Sequence, residues 1–425
     1  MNEYDVIIIG GGPAGMMAAG RAAECGARVL LLEKNDSLGR KLLISGGGRS
    51  NITNAEFDPH VFLEKFQDAA KFLYSPLSRF GVKDVTDFFA AHGVPTKIEE
   101  GGRVFPISDN SRSVFDALSH YMRQGDVTVM PNTTVSGIET ADGAISGVRL
   151  GSGDILKAGA YVLATGGTSH PETGSTGDGF VWLERIGHTI VQPRPALVPI
   201  RIRESWVHSL SGISFPEAKL TILQHGAKFA AKQGKLLFTH FGLSGPLVLN
   251  MSRDIDELLQ NGEVILSLDL FPHSDIGEID RQIQMLFDGQ KNKQVKNALE
   301  GLIPPLSIPA ILSIATIDPE KPVHSVKREE RLALAHALKG LPMTVEGLLG
   351  EDKAIVTSGG VALAEIDFRH MRSRLYPNLY LVGDILDIDR PSGGYSLQLC
   401  WTTGFVAGTS AAGKKDGLTS QILTK

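Results

Sequence analysis

A run of glycine, basic and amide residues occupies positions 41–54, which read KLLISGGGRSNITN. Three consecutive glycines at 46–48 lose much backbone entropy on folding and bury no side chain, so a ligand lying against bare backbone is expected there. Neighbouring cationic and amide side chains can balance phosphate charge and exchange hydrogen bonds with a ligand. The candidate contacts are Arg40, Lys41, Ser45, Gly46, Gly47, Gly48, Arg49, Asn51 and Asn54.

A dinucleotide-binding pattern opens the chain. An apolar run at 4–9, typical of a buried parallel strand, leads into G-x-G-x-x-G at Gly10, Gly12 and Gly15. A helical pattern and a second strand follow, and this strand ends at Glu33, 18 residues after Gly15, where a carboxylate can accept hydrogen bonds from a ribose. The glycines allow a tight turn, the approach of a pyrophosphate to a helix N-terminus, and close helix–strand packing. The candidate contacts are Gly10, Gly12, Pro13, Ala14, Gly15, Glu33 and Lys34.

The fingerprint alone does not distinguish FAD from NAD. The glycine-rich run at 41–54 follows the second strand almost directly, where a nicotinamide domain would continue with another βαβ unit. A flavin and its ribityl chain need additional room beyond the pyrophosphate. The position of this run therefore favours non-covalently bound FAD.

Several longer blocks are similar to one family of bacterial flavoproteins, the aminoacetone-oxidase-like FAD enzymes, which include a flavin-dependent reductase of oxo-bile acids. The blocks are GGGPAG, ISGGGRSNITN, RVFPISDNSRSV at 103–114, VLATGGTSHPETGSTGDGF at 162–180, FTHFGLSGP at 238–246, and GDILDIDRPSGGYSLQLCWTTG at 383–404. Together they span essentially the whole chain. Many members have Cys where this chain has Ser50, so a thiol role is not carried over to that position.

The resemblance implies an α/β fold: a Rossmann-like FAD-binding domain of the glutathione-reductase type, with an inserted β-barrel and helical domain. It places a strand beside the adenine, a second glycine turn near FAD, a Gly-Asp pair at the ribityl and phosphate portion, and the N-terminus of the last helix near the flavin. The residues it adds to the FAD site are Val135, Ala164, Thr165, Gly166, Gly167, Gly383, Asp384, Gly394, Tyr395, Leu397 and Gln398.

Composition changes predict the domain boundaries. The FAD-binding domain is expected at 1–191, with a return segment at 357–425. The proline-rich QPRPALVP at 192–199 marks the entry to the insertion, whose barrel is expected at 192–270 and 341–356. Residues 271–340 have helical spacing and are expected to form a helical subdomain within the insertion.

Composition and charge describe an ordinary globular protein. Net charge is -5, only two cysteines are present, and no signal peptide or membrane span is apparent. Residues 271–340 carry nine Lys+Arg and nine Asp+Glu, which argues against an RNA-binding insertion. We therefore expect a cytoplasmic protein without nucleic-acid or membrane partners. No metal-ligand spacing occurs, and oligomeric state is left open.

Catalytic candidates are few. His170, His240 and Tyr395 can each supply a proton near the flavin, although each can equally be a structural hydrogen-bonding residue. A second dinucleotide fingerprint and a redox cysteine pair are both absent from the sequence, and Cys25 and Cys400 fit buried apolar positions.

The sequence thus predicts an FAD-dependent oxidoreductase that transfers hydride between flavin and a small organic substrate held between the FAD domain and the insertion, with NAD(P)H as a transient co-substrate. One alternative is an FAD-dependent amine oxidase that uses oxygen. Alternatives of another class are a flavin-dependent tRNA-modifying protein and a non-catalytic flavin-binding protein.

Overall fold

The chain divides into two units in the computed structural model, which describes residues 3–350 and 352–413. The first unit comprises the described residues of 1–195 and 355–425, and the second comprises those of 196–354. Each has its own apolar core.

The strands have the following bounds: β1 Tyr4–Ile9, β2 Val29–Leu32, β3 Thr53–Asn54, β4 Thr96–Glu99, β5 Arg103–Pro106, β6 Thr128–Met130, β7 Val135–Ala141, β8 Ala144–Leu150, β9 Ile155–Leu156, β10 Ala158–Leu163, β11 Ile190–Ala196, β12 Ile200–Ile202, β13 Ser214–Gln224, β14 Ala227–Thr239, β15 Gly242–Ser244, β16 Ile265–Asp269, β17 Leu341–Leu348, β18 Val356–Val361, β19 Ile366–Asp367, β20 Arg372–Ser373 and β21 Leu379–Leu381.

The α-helices have the following bounds: α1 Pro13–Glu24, α2 Arg40–Gly48, α3 Pro59–Glu64, α4 Ala70–Arg79, α5 Val82–Ala91, α6 Ser111–Gln124, α7 Asp178–Arg185, α8 Ser205–Ser209, α9 Pro246–Leu249, α10 Ser252–Leu259, α11 Ile276–Asp288, α12 Val295–Ala298, α13 Ile308–Ile314, α14 Arg328–Lys339 and α15 Tyr395–Ala411.

The first unit is organised around a seven-stranded sheet in the order β19-β20-β21-β10-β1-β2-β6. The five strands from β21 to β6 are parallel, and β1 pairs with β10 on one side and β2 on the other. All of β2 and the last four residues of β1 are buried on both faces, which explains the unbroken apolar runs of these two strands. Together with the inserted barrel and helices described below, this sheet confirms the predicted fold class.

Helices α1 and α15 pack against each other through bare backbone. A Cβ at Gly404 would lie 2.5 Å from the carbonyl oxygen of Ala14, and one at Gly408 would lie 2.5 Å from that of Ala18. A Cβ at Gly15 would lie 1.9 Å from the carbonyl oxygen of Gly10. These glycines set how closely the first helix approaches both the last helix and the turn after β1.

The second unit is a closed antiparallel barrel accompanied by helices. Its strand order is β12-β15-β14-β13-β16-β17, and α11 to α14 lie between β16 and β17 in the chain. The proline-rich stretch at 192–199 belongs, up to Ala196, to β11, which is outside the seven-stranded sheet. Pro193 and Pro195 are tolerated because β11 has β18 as its one partner in a two-stranded sheet.

None of the helices within residues 3–350 and 352–413 is both long enough and apolar enough to cross a bilayer.

Candidate cofactor-binding site

An elongated cavity lies where the parallel strands of the first unit end. Its walls include Ile9 at the end of β1, Leu32 at the end of β2, and Val382 just after β21. Ligands in open α/β sheets bind at this edge because loops and helix N-termini converge there. The predicted residues that line the cavity are Gly10, Gly12, Pro13, Ala14, Glu33, Lys34, Arg40, Lys41, Val135, Ala164, Thr165, Gly166, Gly383 and Asp384.

The glycine turn after β1 presents the N-terminus of α1 to this cavity. Gly12 caps the helix without a side-chain hydrogen bond, and a Cβ built there meets no atom within 4 Å among the described residues. The opening therefore admits a ligand directly against the backbone. Unpaired N–H groups and the positive end of the helix dipole favour an anion at this point.

Glu33 is held beside the same turn. Its Oε2 accepts a hydrogen bond from the Gly11 N–H at 2.8 Å, and its Oε1 accepts from the Asn35 N–H at 2.8 Å. These bonds fix a carboxylate at the end of β2, only 8% exposed, in the cavity wall. The geometry suits acceptance of ribose hydroxyl hydrogen bonds.

Lys41 lies at another part of the cavity wall, and nearby carboxylates compensate its positive charge only in part. Its Nζ donates to Ser169 Oγ at 2.6 Å and lies 3.9 Å from Asp384 Oδ2. Asp384 already pairs with Arg390, whose side chain is fully buried. Burial lowers the pKa of Lys41 below its usual range despite the nearby Asp384 carboxylate. Two cations sharing one carboxylate create a demand for an anionic ligand.

The other predicted cations are paired within the protein. Lys34 Nζ lies 2.8 Å from Asp178 Oδ2, and Arg40 Nη2 lies 2.7 Å from Asp36 Oδ1. Arg49 pairs with Glu99 and Asp109, and it is not among the cavity-lining residues. Lys41 is therefore the strongest candidate for direct charge compensation.

The glycine run at 46–48 lies outside the cavity lining. The helix α2 breaks at Ser45, and Gly46, Gly47 and Gly48 have φ of 58°, 69° and 84°. Besides the lack of a side chain, this left-handed backbone conformation favours glycine here, since residues with side chains rarely adopt it. Within the described residues, Asn51 Oδ1 is buried without a hydrogen-bond partner. Such a buried acceptor remains available to a ligand.

Two of the predicted amide side chains, those of Asn54 and Gln398, form hydrogen bonds within the protein. Asn54 Nδ2 donates to the carbonyl oxygens of Gly101, at 3.0 Å, and Gly393, at 3.1 Å. Gln398 Oε1 accepts from Thr53 Oγ1 at 2.6 Å, and its Nε2 donates to Thr402 at 2.9 Å. These bonds hold β3 against α15. The predicted residues outside the cavity lining are Gly15, Ser45, Gly46, Gly47, Gly48, Arg49, Asn51, Asn54, Gly167, Gly394, Tyr395, Leu397 and Gln398.

The three catalytic candidates lie in different surroundings. His170, in the loop after β10, has φ of 54°, and its Nδ1 lies 2.8 Å from Glu172 Oε1. Tyr395 begins α15, packs 5.0 Å from the Phe62 ring, and has a pKa raised chiefly by burial. His240 follows β14 in the second unit, with its ring 4.9 Å from that of Phe241.

Sequence reasoning missed residues that shape the turn after β10. Thr357 Oγ1 accepts the N–H groups of Thr168, at 2.8 Å, and Ser169, at 3.1 Å. A Cβ at Gly167 would lie 2.2 Å from this hydroxyl, so glycine is required for the contact. The residues that line the cavity also include Thr173, Ser175 and Trp182. The signal in the sequence for this contact was the VTSGG motif at 356–360, where the chain returns to the first unit.

Cys400 also lines the cavity but is unsuited to redox chemistry. Both cysteines are free and buried. Burial raises the pKa of the Cys400 thiol to about 12, so it stays protonated and weakly nucleophilic at neutral pH.

The residues present fit FAD. An open backbone cradle at Gly12, a fixed carboxylate at Glu33 and an incompletely balanced cation at Lys41 match a diphosphate flanked by a ribose. The protein would hold the cofactor by these groups without a covalent bond.

We predict that Gly12→Val folds but loses FAD. The backbone at Gly12, with φ of -74° and ψ of -178°, is acceptable to valine, and the added side chain occupies open space in the cavity. Flavin released per mole of purified protein should fall nearly to zero, while far-UV circular dichroism is unchanged. The matched control is Gly347→Val, in the second unit, where a Cβ also has open surroundings among the described residues. Stoichiometric flavin in Gly12→Val would contradict this location of the diphosphate.

We predict that Lys41→Met weakens FAD binding about tenfold to a hundredfold, the range expected for a charge-assisted hydrogen bond. The lowered pKa of Lys41 also has a pH consequence. A bound anion favours the protonated lysine, so wild-type affinity should fall as alkaline pH deprotonates the flavin-free protein. Lys41→Met should lack this fall in affinity. Flavin-fluorescence titrations across pH measure both effects, and Lys83→Met is the control because Lys83 pairs on the surface with Asp87 and does not line the cavity. Equal effects of the two variants would argue against this role.

Comparison with known proteins finds two relatives that match nearly the whole chain. The chain is 31% identical over 408 residues to a 3-dehydro-bile acid delta(4,6)-reductase of Clostridium scindens, covering 95% of this chain and 98% of that protein. It is 30% identical over 409 residues to a ribosomal RNA dihydrouridine synthase of Escherichia coli, covering 95% and 97%.

A solved 3-ketosteroid delta1-dehydrogenase from Sterolibacterium denitrificans shares the fold, with a TM-score of 0.57 and 16% identity, covering 97% of this chain and 100% of that chain. Residues 4–410 match the family described as the HI0933-like protein Rossmann domain. The chain belongs to this HI0933-like Rossmann family and is an FAD-dependent oxidoreductase.

Proposed function

We propose that this protein is an NAD(P)H-linked reductase of a carbon–carbon double bond conjugated to a carbonyl group. The names of two relatives that match nearly the whole chain carry the proposal. A delta(4,6)-reductase of a 3-oxo compound saturates a double bond conjugated to a ketone. Dihydrouridine is uridine whose double bond, conjugated to a ring carbonyl, has been saturated. The two substrates share this bond type and little else.

The reaction consumes one NAD(P)H, one proton and one double bond, and yields NAD(P)⁺ and the saturated product. FAD, when bound, supplies the means of passing a hydride from the nucleotide to the substrate. The chain must therefore bind the cofactor, orient the substrate and deliver a proton to the carbon next to the carbonyl. Polarisation of that carbonyl by a hydrogen bond makes the far carbon of the double bond a better hydride acceptor.

His170 is the proposed proton donor. The Glu172 carboxylate accepts from the Nδ1–H, which fixes the tautomer and directs Nε2 away from that contact. Among the described residues, no hydrogen bond occupies His170 Nε2. The left-handed φ of 54° at His170 is an uncommon conformation that functional loops often retain. Protonated, this imidazole can donate to substrate, and Glu172 then stabilises its charge.

Tyr395 is better suited to positioning. Its ring lies 5.0 Å from that of Phe62 and 5.9 Å from that of Phe66, and burial raises its pKa. The side chain therefore anchors the start of α15. His240 remains a second candidate for a proton relay in the second unit.

Charge favours an uncharged or weakly charged small substrate. Residues 196–354 carry 17 Lys+Arg and 19 Asp+Glu, without the basic excess that RNA binding usually requires. Ribosomal RNA is nevertheless the second candidate substrate, because two relatives of similar length are named for its modification.

We predict that anaerobic mixing with NADH or NADPH bleaches the flavin absorbance within a single turnover. Subsequent addition of a conjugated enone should restore it, and mass spectrometry should find the product two mass units heavier. A uridine-containing ribosomal RNA transcript is the parallel acceptor, and a saturated ketone is the control. Failure of both nicotinamide nucleotides to bleach the flavin would contradict the proposal and direct attention to amine substrates with oxygen.

We predict that His170→Gln slows reoxidation by the enone about a hundredfold or more, the usual contribution of a positioned general acid. Reduction of the flavin by NAD(P)H should be unaffected, because that step needs no proton from His170. Stopped-flow absorbance separates the two half-reactions. The control is His225→Gln, an exposed histidine on the hairpin between β13 and β14. If the two variants reoxidise at the wild-type rate, His170 is not the donor.

A further inference from the structure

The cavity wall contains a tryptophan that the dinucleotide-binding motif does not explain. Trp182 lies in α7 and lines the same cavity as Glu33 and Val135. It is 7% exposed, so most of the indole packs in the core.

Trp182 lies on α7 one turn after Asp178, whose ion pair is next to Glu33 in the chain. Trp182 and Asp178 are four residues apart and therefore share a helix face. Asp178 is tied to Lys34 at 2.8 Å, and Lys34 directly follows the carboxylate that ends β2. Trp182 is thus one helical turn from the residue that pairs with Lys34.

The segment that leads into β7 is also held beside Glu33. The Thr133 N–H donates to the Glu33 carbonyl oxygen at 2.8 Å, and both Thr133 and Val135 line the cavity. A flat apolar group bound beside Glu33 would therefore have the start of β7 and the indole of Trp182 as neighbours. An aromatic ring packs favourably on such a surface, in stacked or edge-on geometry.

The other tryptophans have different environments. Trp401 is fully buried, and its indole N–H donates to the Ile52 carbonyl oxygen at 2.9 Å. Trp206 belongs to the second unit. Neither is among the residues that line the cavity, so Trp182 is the tryptophan whose fluorescence should report on a ligand there.

We propose that Trp182 packs against the adenine ring of FAD and so contributes to the selection of FAD over FMN. The inference rests on the cofactor site alone and is independent of which substrate the enzyme reduces.

The test uses the full-length protein freed of flavin and titrated with ADP, which carries the adenosine diphosphate half of FAD but no flavin. Trp182→Ala should weaken ADP binding about five- to tenfold, as expected for loss of one aromatic contact. Its affinity for FMN, which has no adenine, should equal that of wild type. Isothermal titration calorimetry measures both ligands in the same preparation.

Tryptophan fluorescence provides a second readout that does not depend on the alanine variant folding. ADP should change the emission of wild type and of Trp206→Phe to the same extent. Trp182→Phe should bind ADP within about twofold of wild type, because it keeps an aromatic face, but should lose the emission change. An undiminished emission change in Trp182→Phe would overturn the proposal. Equal weakening of ADP and FMN binding in Trp182→Ala would do the same, since it would indicate general damage to the site.

Discussion

Close backbone packing around α1 is the constraint on which the nucleotide-binding unit depends. Gly15 lets α1 approach the turn after β1, and Gly404 and Gly408 let α15 approach α1. Each contact is between a glycine Cα and a carbonyl oxygen, so the neighbouring backbone has little room to yield to a side chain. The N-terminus of α1, with its open Gly12, is positioned by this packing. The cavity wall contributed by Cys400 follows from the same arrangement.

Electrostatics divide the predicted cations into structural and ligand-facing groups. Arg49 is satisfied by Glu99 and Asp109, whereas Lys41 shares the Asp384 carboxylate with Arg390. A partly buried cation without a carboxylate of its own is costly in the absence of a ligand. The same neighbourhood contains the protonated thiol of Cys400, which adds no charge. The site is therefore suited to a bound diphosphate and unsuited to thiol-based redox chemistry.

Local sequence patterns were sufficient to predict the first βαβ unit, the glycine turn and the carboxylate at Glu33, whereas the family resemblance predicted the fold as a whole. These features depend on apolar periodicity and on residues within one βαβ unit. That reasoning could not identify Thr357, Trp182 and Arg390, because their roles depend on the folded structure rather than on local sequence patterns. Gln398 is a predicted cofactor contact whose side-chain amide is hydrogen-bonded within the protein. The family resemblance predicted a contact with FAD, and in the folded protein the amide bonds to Thr53 and Thr402.

The cavity draws its walls from positions as far apart as Ile9 and Cys400. The fingerprint is synthesised before the second unit, and residues that complete the pocket, such as Asp384 and Cys400, are synthesised after it. The intervening unit of 196–354 can fold before they arrive, because it has its own core. Capture of the flavin consequently has to follow the synthesis of the whole second unit. A truncated chain would carry the nucleotide-binding signature without the means to retain the nucleotide.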